Sequence, residues 1–466
     1  MKRLLFFFVM LCSACSHDFL DLKSSQSQKV PVLLSDFQAI LDNTTDPTDA
    51  LNLRTPHVLG MIGADEFFLS NTHFNGLSTE GTWAYMRNAY NWNDIIYDNI
   101  LGFNSEPYDF NVGYAKILRC HIILEGLEKI KRVDGNSSDW DNVKGSALFH
   151  RALNYYNLSQ LFCAPFGKGD LENKMGLPLR LTADPTVKVD RSSLKEILTL
   201  IESDLKEAEP LLPEKGKTVF RASKLAVYAL KARLYLQFFD FEKALKETEK
   251  ILAVKNTLWD YNTIQASTNY TFPLYGMNNP EVFFSMAANE AFVLSNNVLQ
   301  VEANLWNSYV SSDLRKSLFF KKSTDGRNTY WGSYYGGVAF FTGFALDETY
   351  LIQAECLARM NRIEEAHVVL NKLKINRFSK GDFQPFTTDS KEDLINEILE
   401  ERRKELIFRG VRWEDLRRLN LEEGREVTLT RQIDGVMYTL EPNDKRYVWP
   451  LPPEAIEAGG YQQNER

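Results

Sequence analysis

The 466-residue chain is predicted to be mainly α: a scaffold of tetratricopeptide-like helical hairpins that carries a long, irregular, aromatic-rich insertion and few short strands. Three observations predict this. Apolar residues recur at three- and four-residue spacing through Tyr114 to Ile130, and again at Leu148, Ala152, Tyr155 and Phe162, the period of helices with a buried face. Ala232, Tyr235, Ala244 and Ile251 stand at the same mutual spacings as Ala354, Leu357, Ala366 and Leu373, so one helical unit is written twice. Between the two copies, residues 256–345 lose that period and gather Gly, Asn, Ser, Thr, Tyr and Trp.

The elements follow in chain order. Lys2 and Arg3 precede the apolar run Leu4 to Leu11, too short for a permanent span, and residues 1–14 are expected to be a secretory signal peptide. The Cys12-Ser13-Ala14-Cys15 sequence resembles a bacterial lipobox, with Cys12 where that pattern prefers Leu; Cys15 is expected to carry the lipid. Residues 15–35, polar and interrupted by Pro31, read as a lipidated tether. A helical region with hairpins occupies 36–255. Within it Ser192-Ser193 precede an amphipathic run, 194–208, that is expected to stop at Pro210 and Pro213. Small residues at Ala232 and Ala244, and at Ala354 and Ala366, let paired helices approach closely, and such a pair buries its face only by stacking on neighbours. The run His150 to Phe162 leads a third, more degenerate unit. Residues 256–345 form the insertion, the expected binding surface. Residues 346–466 return to helix, with a cap at Ser390 and Asp393, a stop at Gly410, and coil through Trp449-Pro450-Leu451-Pro452-Pro453.

Composition excludes several classes. Net charge is −8 with no sustained basic block, which argues against nucleic acid or anionic lipid as main partner. Beyond the signal, Cys120, Cys163 and Cys356 are far apart and odd in number, so they are expected to be buried small hydrophobes rather than disulfides or metal ligands. No two of the six histidines have HExxH spacing, and neither a GxSxG elbow nor a phosphate loop occurs. Asp65-Glu66 resembles a glycosidase acid pair only superficially, because adjacent residues rarely face one reacting atom; a cap or surface role is expected.

The densest charged stretch runs from Glu401 to Arg418 and interleaves Leu406, Phe408, Trp413 and Leu416 with arginines. That interleaving predicts half-buried guanidinium groups in planar pairs with carboxylates, pinning the C-terminal helices to the scaffold. The stretch, read as ERRxELxFxGxRWxDLxR, strongly resembles the C-terminal signature of the RagB/SusD outer-membrane nutrient-binding lipoproteins. Asp18-Phe19-Leu20-Asp21 after the lipid cysteine, Trp92, Tyr97 and Asn99, Arg151-Ala152-Leu153 with Tyr155-Tyr156, Arg221-Ala222-Ser223-Lys224, Glu348-Thr349-Tyr350-Leu351 with Ala354-Glu355, and Arg377 agree with it in order. Arg409 departs, standing where an acid is usual, as does Gly459-Gly460 in place of an Asn-Pro pair.

The resemblance implies a SusD-like, non-catalytic lipoprotein, surface-exposed on the outer membrane. It implies capture of oligosaccharide, or in some branches peptide, for a SusC-like TonB-dependent channel. No nucleic acid and no cofactor are expected; a structural calcium in the loop region stays open. Among the residues themselves, flat aromatic faces in loop-like sequence suit the C–H side of a sugar ring, with little entropy to lose. The candidates are Trp83, Tyr85, Trp306, Tyr309, Trp331, Tyr334 and Tyr335, with Arg87 and Asn88 as polar helpers. They tip the choice of cargo toward glycan. Two rivals stand beside this reading: a docking lipoprotein without small ligand, expected if Trp331, Tyr334 and Trp306 lie apart or in the core, and an enzyme with carboxylates or a metal set converging in one cleft.

Overall fold

The computed structural model describes residues 30–44, 50–81, 83–97, 109–167, 169–288 and 291–466. The predicted signal peptide, Cys15, most of the tether, and Asn99 lie outside the described residues. Helix α1 (Leu34–Asp42) lays Phe37 and Leu41 against Ile123, Val143 and Ala147 in a satellite cluster. Short elements follow: α2 (Val58–Gly63), β1 (Phe67–Phe68), α3 (Asn71–Asn75) and α4 (Ala84–Tyr90). The long helices α5 (Asp109–Glu128) and α6 (Ser137–Phe162) pack on each other. Strands β2 (Met175–Pro178) and β3 (Arg191–Ser193) then pair antiparallel and deliver the chain to α7 (Leu194–Leu211). Ser193 caps α7: its hydroxyl accepts from Glu196 N at 3.2 Å, and the Glu196 carboxylate accepts from Ser193 N at 2.8 Å. The helix runs past Pro210, which sits in its last turn, and ends just before Pro213.

Helices α8 (Lys224–Gln237) and α9 (Phe241–Val254) form the first predicted repeat. The insertion then contributes β4 (Val282–Phe284), β5 (Ala287–Ala288), β6 (Gln300–Val301), α10 (Ala303–Ser308), α11 (Arg315–Phe319), β7 (Phe320–Lys322), β8 (Asn328–Tyr330), β9 (Phe340–Phe341) and β10 (Phe344–Ala345). Its strands close on themselves in antiparallel pairs, β4 with β10, β5 with β9 and β7 with β8, while β6 pairs with β1. Next come α12 (Leu346–Arg359) and α13 (Ile363–Lys374), the second copy of the repeat. Helix α12 packs on both α13 and α9, so the two copies stack across the insertion that separates them in sequence. Ala232, Ala244, Ala354 and Ala366 are buried at those contacts, as close approach requires.

The C-terminal region holds α14 (Lys391–Glu405), α15 (Arg412–Leu419), the antiparallel hairpin β11 (Leu429–Ile433) and β12 (Val436–Leu440), and α16 (Pro453–Gly459). The coil expected here is therefore partly ordered. Asp434 and Gly435, with φ of 49° and 81°, make the two-residue turn whose twist matches a hairpin. Gly410 (φ 78°) turns the chain between α14 and α15, where a Cβ would lie 2.7 Å from the His57 ring.

The arginines of the signature are buried more deeply than expected. Arg418 holds Glu355 through two bonds (2.7 and 2.9 Å) and Asp415 at 2.9 Å, and Arg402 holds Asp415 at 2.7 Å. Arg233 on α8 grips Glu348 on α12 at 2.7 and 2.6 Å, and Arg409 meets Asp347 at 2.9 Å. Arg315 and Arg377 bring Asp313, Glu281, Glu401 and Glu405 together. Each planar fork satisfies carboxylate lone pairs that burial would otherwise strand, so the lattice fixes how α12, α14, α15 and the insertion meet. Asp65 belongs to this lattice, and Glu66 lies buried beside it without an ion pair among the described residues, so neither is a cap or an exposed surface acid. Burial raises the Asp65 pKa, but Arg412 (2.6 and 2.8 Å) and Arg403 (3.2 Å) overcome it and hold the carboxyl well below its usual range. Glu66 accepts from Phe408 N at 2.7 Å, and burial pushes its pKa up to about 8. Cys120, Cys163 and Cys356 are free and buried, their thiols raised by desolvation.

Candidate functional site

The insertion frames a cleft of about 680 Å³ around the β7–β8 hairpin. Tyr330 and Phe340 lie at its floor; Trp331, the residue after β8, and Tyr270 from the preceding loop form an aromatic wall. Their ring centroids stand 5.0 Å apart with planes tilted by 39°. Lys321 sits 4.4 Å over the Trp331 ring and donates to Asn269 O, and the indole Nε1 donates to Thr329 Oγ1 at 2.8 Å. Those contacts fix the ring with its remaining surface half open.

The polar side of the cleft is also tied down. Asn296 behaves like a piece of strand, donating to Tyr330 O at 2.7 Å and accepting from Tyr330 N at 2.9 Å. Arg327 donates to Leu299 O (2.7 Å), Asn297 O (3.1 Å) and the Asp325 carboxylate (2.7 Å). That pairing holds the Asp325 pKa well below the usual carboxylate range. Exposed Thr268, Asn297 and Thr324 leave hydroxyl and amide groups at the rim. An aromatic wall beside fixed amide, hydroxyl and ammonium groups suits a polyhydroxylated ligand with one apolar face. Among the described residues lining the cleft, Asp325 is the one carboxylate.

The seven aromatic candidates divide sharply. Trp331 lines the cleft. Trp306 lies half-buried outside its lining, with Lys316 at 4.1 Å and Lys322 at 5.4 Å over its ring; successive residues of β7 thus carry their ammonium groups to different tryptophans. Trp83 is 47% exposed at the start of α4, also outside the lining. The other four are packing residues, which corrects the expectation that they offer stacking faces. Tyr85 is buried 6.0 Å from the Tyr97 ring, and Tyr309 is buried and donates to Lys404 O at 2.7 Å. Tyr334 is buried with its hydroxyl 2.6 Å from that of Tyr261, and Tyr335 packs edge-on against Tyr275 at 5.2 Å. Arg87 lies over Phe74 and donates to Phe74 O at 2.7 Å, and Asn88 donates to Ile96 O at 3.2 Å, so both helpers serve the scaffold. Sequence reasoning leaves Tyr270, Lys321, Asn296 and Asp325 out of the candidate set. Tyr270, between Asn269 and Thr271, carries the same loop signal as Trp331.

One carboxylate trio among the described residues, Glu281, Asp347 and Glu405, has the spacing of a cation site. Arg377 and Arg409 already donate to it at 2.7–2.9 Å. A divalent ion there would face guanidinium groups at hydrogen-bond range, so arginine supplies the counter-charge.

Residues 18–236 match a family profile described as "Starch-binding associating with outer membrane", and residues 270–465 match one described as "SusD family". A SusD-like protein of Formosa agariphila is 23% identical over 429 residues, covering 77% of this chain and 79% of the relative. A SusD superfamily protein of Bacteroides thetaiotaomicron superposes with a TM-score of 0.72 at 21% identity, covering 93% of this chain and all of that one. A SusD-like carbohydrate binding protein of Bacteroides vulgatus gives 0.63 at 19% identity, covering 92% and 96%. The surface glycan-binding protein A of Bacteroides uniformis gives 0.68 at 16%, covering 92% and 99%. At these identities the superpositions speak for the fold.

Proposed function

Because the chain belongs to the SusD family, we propose that it is a lipid-anchored outer-membrane protein that captures nutrient oligosaccharide in the Trp331 cleft for delivery to a partner TonB-dependent transporter. Tyr334 in the core and Trp306 outside the cleft lining meet the condition set for a docking lipoprotein. What carries the glycan reading against it is the Trp331–Tyr270 wall, two rings held by neighbours rather than by ligand, beside fixed polar groups. Preorganised rings lose little entropy on binding, which is how a cleft open to water gains affinity for so hydrated a ligand. The glycan- and carbohydrate-binding descriptions of two structural relatives support the same class. Anchoring through Cys15 is supported by the lipobox-like sequence and by the outer-membrane association in the matched family's description. Among the described residues no helix is long and apolar enough to cross a membrane.

Titration calorimetry against a panel of oligosaccharides tests the reading. Trp331→Ala is expected to weaken binding at least about tenfold, about 1.4 kcal/mol, with Tyr270→Ala in the same direction. Trp306→Ala, outside the cleft lining, is expected to change it little. Wild-type affinity in Trp331→Ala would remove the cleft as the site. Capture of peptides but of no glycan would move the cargo to the peptide branch.

A further inference from the structure

A second cavity, of about 520 Å³, lies between the C-terminal end of α6 and the chain's C-terminal segment and shares no lining residue with the aromatic cleft. Its apolar side is built from Ala164, Pro165, Met175, Leu421, Tyr447 and Val448. Its cationic side carries Lys174 and Arg417, with Arg191 behind them donating to Gln462 O at 2.9 Å and to Asn464 Oδ1 at 2.8 Å.

These three cations differ from the arginines of the lattice. Arg417 donates to Gln160 O, Gln160 Oε1 and Cys163 O; Arg191 also donates to Gly176 O and Phe162 O; Lys174 donates to Pro165 O at 2.9 Å and Phe166 O at 3.2 Å. Every partner is a neutral oxygen, and among the described residues none of the three forms a salt bridge. Nearby acids are spent elsewhere. Glu414, on the same helix as Arg417, accepts the Tyr156 hydroxyl at 2.6 Å; Asp444 and Glu465 themselves line the cavity, each already neutralised, Asp444 by Arg446 at 2.7 Å and Glu465 by the lining Lys445 at 2.7 Å. Asp170, near Lys174, is exposed and bonded by Asn173. The carbonyls at the end of α6 account for only about half an elementary charge. Arg417 is 1% exposed, and its Nε has no hydrogen-bond partner. Burial lowers the Lys174 pKa, and the Arg417 charge lowers it further; burial likewise brings Arg417 down to about 10. Positive charge is thus assembled against its own repulsion, beside an apolar wall, in a chain of net charge −8.

We propose that this cavity is a second ligand site, selective for a small organic carboxylate with an apolar body, whose carboxylate takes its counter-charge from Lys174 and Arg417. Desolvated guanidinium and ammonium groups lacking an internal acid gain most from a bound carboxylate, and the Ala164–Leu421–Val448 side accepts the apolar part. An amino-acid-derived acid offers both parts, whereas a sugar acid offers the carboxylate on a hydroxylated body, and the probes separate them.

The purified chain is titrated with N-acetylphenylalanine, its neutral amide, and glucuronate. The amino-acid-derived carboxylate is expected to bind, and both the amide and glucuronate to bind at least tenfold more weakly; tighter binding by glucuronate would overturn the selectivity for an apolar body. Lys174→Gln, at a half-buried position, is expected to weaken carboxylate binding about tenfold, and Leu421→Trp at the exposed rim to block it. Trp331→Ala is expected to leave it unchanged, which separates this site from the glycan cleft. Arg417→Lys keeps the charge where Arg417→Gln risks the fold. Equal affinity for acid and amide, no binding by any probe, or full affinity in both Lys174→Gln and Leu421→Trp overturns the proposal.

Discussion

Glu66 sits with one carboxyl oxygen on Phe408 N and the other without a partner, and burial raises its pKa to about 8. Asp109 is raised to about 7 by burial, although Val58 N and Leu59 N donate to it. A folded-state pKa above the unfolded value means the native protein holds a proton that the unfolded chain releases. For Glu66 the associated stability is fully present below about pH 4.5 and is lost as pH rises through about 8, and for Asp109 the window runs from about 3.8 to about 7, each at up to about 1.4 kcal/mol per pH unit. Glu66→Gln is expected to flatten the decline between pH 6 and 8.5, as measured by urea unfolding at several pH values; an unchanged slope would place that titration elsewhere. His57 has the opposite sign. Its pKa is lowered to about 3 by burial and by Arg233, so its contribution is present above about 6.5 and lost on acidification. At this scale sequence was a poor guide to the site. Trp331 and Tyr334 share one Gly- and Ser-rich loop, yet Trp331 opens on the cleft while Tyr334 is buried against Tyr261, 73 residues away in sequence. Burial of a ring is decided by its spatial neighbours, and loop-like sequence does not name them.

The helix ends were legible because capping is local chemistry. Ser193 and Ser390 accept bonds from the backbone three residues on, as their spacing to Glu196 and Asp393 implies. The β11–β12 hairpin was equally written in sequence, as alternating residues around Asp434-Gly435, and the expectation of coil overlooked it. Gly435→Val forces a β-branched residue to φ near 81°, and the expected cost is at least about 1 kcal/mol, read as a lower melting temperature. The exposed hairpin tip leaves room for the side chain, so an unaltered melt would show that the turn relaxes. Of the insertion's short strands, the apolar piece Val282-Phe283-Phe284 signalled β4, and the others carried no comparable signal. β6 pairs with β1, more than 200 residues away in sequence, and a two-residue strand has no period to read.

Across the whole molecule, the buried ion pairs and a shared apolar core join the insertion to the helical stack. Arg377 links Glu281 of the insertion to Glu405 of α14, and Arg315 links Asp313 to the same helix. Tryptophan fluorescence, reporting on both regions, and far-UV circular dichroism, reporting mainly on helices, are therefore expected to unfold in one coincident transition. Two separated midpoints would show that the insertion folds independently. By itself the sequence determined the helical class, the repeated hairpin, the buried arginine signature and the aromatic insertion. Each is set by spacing or composition within a short stretch, and periodicity, capping and side-chain pairing act over a few residues. Tertiary structure alone decided which rings face solvent, which arginines find carboxylates and which are left with neutral oxygens. Those outcomes depend on distant segments meeting in a desolvated interior, where a single partner present or missing reverses what a side chain can do.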